Sequence, residues 1–474
     1  MKVVFTFDRH LSAVAIAAVE ILGAVSLFAA NSTPPNRPNI LFILTDDQRW
    51  NTLRCMGDTN ILTPHIDRLA QQGVLFQNHF VTTSICCCSR ASIFSGQYMR
   101  RHGIEDFAQP FTSEQWAETY PAMLRQQGYR TGFIGKFGVG NDSAVNAMRD
   151  KFDYWKGVPG QGGEYFIDPK DPNRTHETAR FGQDALEFLA SNPTHQRFCL
   201  SISFTAPHAR DSMPHLEQYQ PDDRDRSLYN EIRIPEPATD NLIYFEKLPT
   251  SVQNSEGHRR WLWRFDTPEH YEISVKNYYR LISGIDREIG RIMAALEQRG
   301  FASNTVVIYT SDNGYFLGDR ELSDKFFMYE EGLRDPLIIC DPREPAANRN
   351  RRETAITLNL DFAPTMLALA GVAAPARMQG RSLLPLLENQ HPADWRTEFF
   401  YEHHTFPDII PASEGVRTDR YAYIRWIHEK PLVEELFDLN HDKLEGHNLA
   451  AEPRYARTLA QLRAEWKRYC EQLK

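Results

Sequence analysis

Cysteine is scarce in this chain, seven in 474 residues, and three of the seven stand side by side at 86–88. Neighbouring residues pair poorly, and Cys55, Cys199, Cys340 and Cys470 are widely scattered, which excludes a disulfide framework. Cys199 in "FCLSISF" and Cys340 in "PLIIC" sit in apolar runs and read as small buried hydrophobes. Histidine or cysteine partners in metal-ligand spacing are missing around "CCC", so a thiol metal site is excluded too. There is no basic stripe. The net charge is −9 with signs interspersed, which argues against a nucleic-acid partner. Repeats and low-complexity tracts are absent. The one long apolar run, "LSAVAIAAVEILGAVSLFAA", follows Lys2 and Arg9 and precedes the polar "NSTPPNRPN", the order of an export signal. Glu20 within it would cost about 3 kcal/mol at the bilayer centre, so no stable membrane insertion is expected. The expectation is a signal over 1–30, a mature chain from near Asn31, and a periplasmic or extracellular location.

What is present is an α/β pattern. Short apolar runs recur at 39–44, 131–135, 198–204, 305–310 and 336–340, with helical segments between them. Their hydrophobicity is continuous rather than alternating, which predicts strands buried on both faces: a mostly parallel sheet sandwiched by helices. In "TPHIDRLAQQG", Thr63 suits a cap, Pro64 the first turn and Gly73 the end of a helix. Tyr278, Leu281, Ile282, Ile285, Ile289, Ile292, Met293 and Leu296 form one apolar stripe ending before Gly300. Residues 209–270 break the rhythm and read as a loop insertion beside the site. Beyond a boundary near Glu388 the pattern changes to short alternating strands and a last helix. The expected organisation is a catalytic domain at 37–388 and a smaller C-terminal α+β domain at 389–474, with a short antiparallel sheet.

Chemistry gathers at the predicted strand ends. Asp46 and Asp47 follow the first strand and Asp312 and Asn313 a later one, and ligands in open α/β sheets bind beyond the carboxyl ends of strands. Oxygen ligands alone favour a hard cation, calcium or magnesium. In "CCCSRASIFSG" a helix start beside Arg90 offers an anion its free N–H groups, and a thiolate there would be activated by the arginine. Lys136 and His208 each follow a buried strand, and Lys325 comes shortly after Asp312.

Together these stretches resemble the type I, formylglycine-dependent sulfatases of the alkaline phosphatase-like superfamily. The carriers are "RPNILFILTDDQ", "TPHIDRLAQQGVLF", the cysteine-to-arginine stretch at 86–90 with "ASIFSG", "GYRTGFIGK", "APH", "YTSDNG" and "DKFFMYEEGLRDPLI". The C-terminal "GVRTDRYAYIRW" and "EELFDLNHDKLEGHNLA" are similar to that family's small domain. The resemblance implies that a maturation enzyme converts Cys86 to formylglycine, whose hydrate attacks sulfur. It implies one calcium ion held by Asp46, Asp47, Asp312, Asn313 and residue 86. Arg90 would orient the hydrate, Lys136 and Lys325 would bind sulfate oxygens, and His208 would protonate the leaving alcohol.

Two positions depart from the family pattern. Cys88 stands where proline is common, and Gly138 in "GKFGVG" stands where a histidine commonly contacts the hydrate and serves as its base. The substrate expected is a sulfate ester of a carbohydrate. The end of the insertion (His258, Arg259, Arg260, Trp261, Trp263, Arg264) suits either sugar stacking with arginines reaching further sulfates or packing on the small domain. A phosphonate or phosphodiester hydrolase, and a polyanion-binding homologue without turnover, are the alternatives.

Overall fold

"NILFILT" forms β1 (Asn39–Thr45) with every residue buried. The computed structural model shows why the run is unbroken: Leu41 and Ile43 enter one core, while Ile40, Phe42 and Leu44 enter another across the sheet. It describes residues 1, 37–166, 171, 173–211 and 217–473. Apart from Met1, the expected signal at 1–30 lies outside the described residues.

The other main strands are β2 (Val74–Phe76), β3 (Arg130–Lys136), β4 (Tyr154–Val158), β5 (Phe198–Ser203), β6 (Thr305–Ser311), β7 (Leu337–Cys340) and β8 (Arg351–Glu353). Their order is β8-β2-β7-β6-β1-β5-β3-β4. Only β7 runs against its neighbours, pairing antiparallel with β2 and β6. The short β2 and β8 and the half-buried "YWKGV" of β4 lack a strong apolar run, so no strand was expected there.

Helices α1 (Pro64–Gln72), α3 (Glu177–Ser191) and α5 (Pro268–Gln298) cover one face, and α2 (Cys86–Ser95) and α6 (Phe362–Leu369) the other. Two end signals of α1 work differently from expectation. Thr63 makes no capping bond; instead Asp286 Oδ1, from α5, accepts the N–H groups of His65 at 2.9 Å and Ile66 at 2.8 Å. Gly73 is needed for space, since a Cβ there would lie 2.3 Å from the Ile339 carbonyl oxygen.

The stretch 209–270 holds more structure than its sequence suggested: helical turns at Leu242–Glu246 and Thr250–Gln253, then α4 (Glu256–Arg264), with α5 starting at Pro268. The buried residues of α4 are Glu256, Gly257 and Arg264, so it carries no apolar period to detect.

At the C-terminus, β9 (Glu398–His403), β10 (Ser413–Thr418), β11 (Tyr421–Trp426) and β12 (Val433–Asp438) form an antiparallel meander. Leu459 and Leu462 of α7 (Ala456–Gln472) cover one face through Val416, Tyr423 and Leu436. Its other face shares a core with Phe80, Phe316, Phe327 and Tyr329. From Pro38 onward the chain is one compact unit. Among the described residues no helix is long and apolar enough to cross a membrane.

Candidate active site

Four strands deliver the site at one edge of the sheet. Asp46 and Asp47 leave β1, Asp312 and Asn313 leave β6, Lys136 ends β3, and His208 lies just past β5, while Cys86 opens α2. Asp46, Asp47, Cys86 and His208 each present a ligand atom, all within 4.8 Å of one another. The Cys86 Sγ is 3.4 Å from Asp46 Oδ1 and accepts from Asn313 Nδ2 at 3.6 Å. Asp312 Oδ1 accepts the Asp47 N–H at 3.1 Å. Asp47 has φ of 62°, a left-handed conformation that costs energy and recurs at functional sites. Tyr278 of α5 holds it there, its hydroxyl donating to the Asp47 carbonyl at 2.7 Å.

The cations are placed among these acids. Arg90 Nε donates to Asp312 Oδ2 at 2.7 Å, and its Nη1 to the Lys136 carbonyl at 2.7 Å and Ser203 Oγ at 2.6 Å. Lys136 pairs with Asp46 and Lys325 with Asp47. Every one of these side chains is buried. Burial and the facing Asp312 raise the Asp46 carboxyl, and burial brings Asp47 up to about 8 against the pull of Lys325. Burial works to raise Asp312 as well, but Arg90 and the two lysines hold it below the usual range. His208 is driven well below an ordinary imidazole by burial, then by Lys136 and Lys325. Its Nδ1 donates to the Ala209 carbonyl at 2.7 Å, leaving Nε2 toward Asp47 Oδ2 at 3.5 Å.

The expected activation of a thiolate by Arg90 is not what the structure shows. Burial, and then Asp46, push the Cys86 thiol well above its ordinary value, and the Arg90 guanidinium is spent on Asp312, Lys136 and Ser203. An unmodified Cys86 is a poor nucleophile here. Cys87 and Cys88 are fillers of the core beneath the C-terminal sheet, with Cys88 Sγ 3.6 Å from Thr405 Oγ1.

The arginines of the insertion also turn out differently. Arg264 is fully buried and Arg260 partly so, and both pair with Asp211 and Asp324, while Arg259 on the same helix stays exposed. Arg260 and Arg264 are not available to grip further sulfates. Neither acid was singled out from sequence, although Asp211 follows His208 by three residues and Asp324 directly precedes Lys325. Ser203 carried no signal, and Tyr278 was read only as part of the apolar stripe of α5.

At Gly138 φ is 75°, and a Cβ would lie 2.4 Å from Arg90 Cδ. The stem of Arg90 fills the space a histidine would need.

A family model described as Sulfatase matches residues 38–372, more than half of the chain. The chain belongs to the sulfatase family. A second model, N-sulphoglucosamine sulphohydrolase, C-terminal, matches residues 318–472 of the sulfatase. The N-acetylglucosamine-6-O-sulfatase of Bacteroides thetaiotaomicron is 29% identical over 497 residues, which take in 90% of this chain and 85% of that protein. A solved structure in complex with its substrate D-glucosamine-2-N,6-O-disulfate superposes with a TM-score of 0.77 at 28% identity, covering 92% of this sulfatase and 98% of that chain. The phosphonate monoester hydrolase of Agrobacterium radiobacter has a TM-score of 0.76 at 21% identity, covering 92% and 96%. That likeness shows the shared fold alone.

The donor set of the sulfatase fits a hard divalent cation. Three carboxylates converge with an amide, and Asn313 Oδ1 is buried without a partner. Oxygen donors around buried acids are what calcium takes.

Proposed function

We propose that this sulfatase hydrolyses sulfate esters of a glycan, with sulfated glucosamine units the first substrates to test. The carrying observation is the buried cluster itself: three acids and an amide at two strand ends, facing Cys86 and two lysines. Formylglycine at residue 86, and a calcium ion held by Asp46, Asp47, Asp312, Asn313 and that residue, would supply the nucleophilic hydrate and a Lewis acid for the sulfate. The naming of the relative and of the bound amino-sugar disulfate supports the substrate class.

The chain's own residues then divide the work. Lys136 and Lys325 exchange their carboxylate partners for sulfate oxygens as the ester enters, and their charge is strong because both are buried. Arg90 keeps Asp312 and Asp46 in place. As Lys325 turns from Asp47 to the sulfate, the freed carboxylate favours a proton on His208 Nε2, which passes to the leaving alcohol while Nδ1–H stays on the Ala209 carbonyl. Export on the 1–30 signal and a separate maturation enzyme complete the proposal, supported by the sequence pattern. N-terminal sequencing of secreted protein tests the first.

The deciding experiment measures sulfate release from defined sulfated glucosamines beside alcohol release from a phenylphosphonate ester, using protein co-produced with a maturation enzyme. Sulfate release is expected to be faster; faster cleavage on phosphorus would overturn the reading. Peptide mass spectrometry should show the thiol lost at Cys86 and kept at Cys87 and Cys88. Added calcium should raise the melting temperature of the parent and not of Asp312→Ala, which should also lose sulfate release.

A further inference from the structure

His208 Nε2 faces a second acid. Asp211 Oδ2 lies 3.7 Å from it, only slightly farther than Asp47 Oδ2. Asp47 is committed to Lys325 and to the oxygen cluster. Asp211 is held from the other side: Arg264 Nη2 donates to its Oδ1 at 2.7 Å, and Arg260 Nη1 lies 2.8 Å from its Oδ2. The same two arginines, one turn apart on α4, also meet Asp324 Oδ2, each at 3.0 Å. Asp324 directly precedes Lys325, and Asp324 and Phe326 on either side of that lysine both have φ of 69°. Burial works to raise Asp211, but Arg260, Arg264 and Lys325 keep it below the usual carboxylate range.

Burying the Arg264 guanidinium and part of Arg260 is costly, and apolar packing would join these loops as well. What the charged arrangement adds is geometry. It ties the loop that carries His208 to the segment that carries Lys325 through one rigid fork.

We propose that Asp211 is a positioning residue for His208, locked by Arg260 and Arg264, which set the proton donor in register with Lys325. The proposal rests on the reading of His208 as proton donor. In that step an oxygen on residue 86 would form the new bond to sulfur as the S–O bond to the alcohol breaks with its electron pair on the alcohol oxygen; His208 enters with a proton on both ring nitrogens, gives the Nε2 proton to that oxygen and keeps the Nδ1 proton on the Ala209 carbonyl. Asp211 gains and loses no proton; its charge beside Nε2 keeps the ring turned to the leaving group while Ala209 holds Nδ1.

Leaving-group dependence tests this. A sugar alcohol needs the proton and 4-nitrophenolate does not, so kcat and KM are measured on glucosamine 6-sulfate and on 4-nitrophenyl sulfate. Asp211→Asn should lose roughly tenfold to a hundredfold more kcat on the sugar sulfate than on the aryl sulfate, within the range of general acid catalysis. KM for the sugar should change by no more than about twofold, as expected for a group that does not bind substrate. Added to His208→Ala, the Asp211→Asn change should cost nothing further. Arg260→Lys, which keeps charge but loses the fork, should show the same bias at smaller size, and melting temperatures establish that each variant is folded. Equal losses on both substrates, or a loss in KM alone, would overturn the proposal. If His208→Ala is biased and Asp211→Asn is not, this inference fails alone. If His208→Ala shows no bias, the proton-donor reading fails with it.

Discussion

At the scale of single residues, Gly138 is decided by its neighbour. A missing histidine suggested a missing base, whereas the structure shows a position whose left-handed backbone and crowding by Arg90 accept no side chain. Gly138→Ala should therefore push Arg90 off Asp312 and the Lys136 carbonyl. A displacement of about 1 Å costs about a hundredfold in rate, so kcat for sulfate release should fall by that order. Gly140→Ala is the control, since it carries the same backbone strain at φ of 86° beside Ala144 and Pro110, away from Arg90. Equal activity of the two variants would show that Arg90 is not what the glycine protects. A histidine placed at 138 should lose activity rather than add a base. The strand-end residues were legible because strand ends are legible: an apolar run stops and acids follow. Asp211 and Asp324 were passed over and Arg260 and Arg264 were given other partners, because the pairs that join these acids to these arginines link segments more than forty residues apart, which no local pattern records.

At the scale of elements, α1 shows how a correct helix can rest on the wrong cap. Its start at Pro64 and end before Gly73 were readable, but its two free N–H groups are taken by Asp286 on α5. Burial brings that carboxyl up to about 7, with Asp67 adding to the rise and the two N–H groups opposing it. The folded value lies above the ordinary one near 3.8. The stability associated with the neutral acid is thus fully present below about pH 4 and is lost as pH rises through about 7. Asp286→Asn keeps an accepting oxygen without the charge. Its stability relative to the parent should rise across that window, measured by urea unfolding at several pH values. A constant difference would place the charge elsewhere. Asp286→Ala should cost about 1 kcal/mol at low pH as the cap is lost. The sheet shows the same limit. Its five long apolar strands could be read directly, while β2, β4 and β8 are completed by neighbours rather than by their own composition.

At the scale of the whole molecule, the C-terminal sheet bears on the chemistry through a polar seam. Tyr401 of β9 donates to the Phe326 carbonyl at 2.7 Å, beside Lys325. Close by, Arg100 meets Glu402 of β9 at 2.7 Å and Glu414 of β10 at 2.8 Å, and Glu414 also takes His404 Nε2 at 3.2 Å and Trp466 of α7 at 2.7 Å. This seam fastens the sheet on which Tyr401 depends. Burial works to lower His404, but the Glu414 hydrogen bond and the charges of Glu402 and Glu414 leave it above an ordinary imidazole, with Arg100 opposing. Its contribution is therefore full below about pH 6.5 and fades as pH rises through the higher folded value. His404→Gln should destabilise the protein at pH 6 and converge on the parent toward pH 9; a gap independent of pH would remove the histidine charge from the seam. Arg100→Met removes the guanidinium that pairs with both Glu402 and Glu414, leaving Glu402 a backbone N–H and Glu414 the His404 and Trp466 side chains, and should cost about 3 kcal/mol. Because the loosened sheet carries the tie to Phe326, the same variant should raise KM for the sulfate ester more than it lowers kcat. Loss of stability with unaltered KM would mean that Lys325 is held by Asp47 and Asp324 alone, without help from the C-terminal sheet.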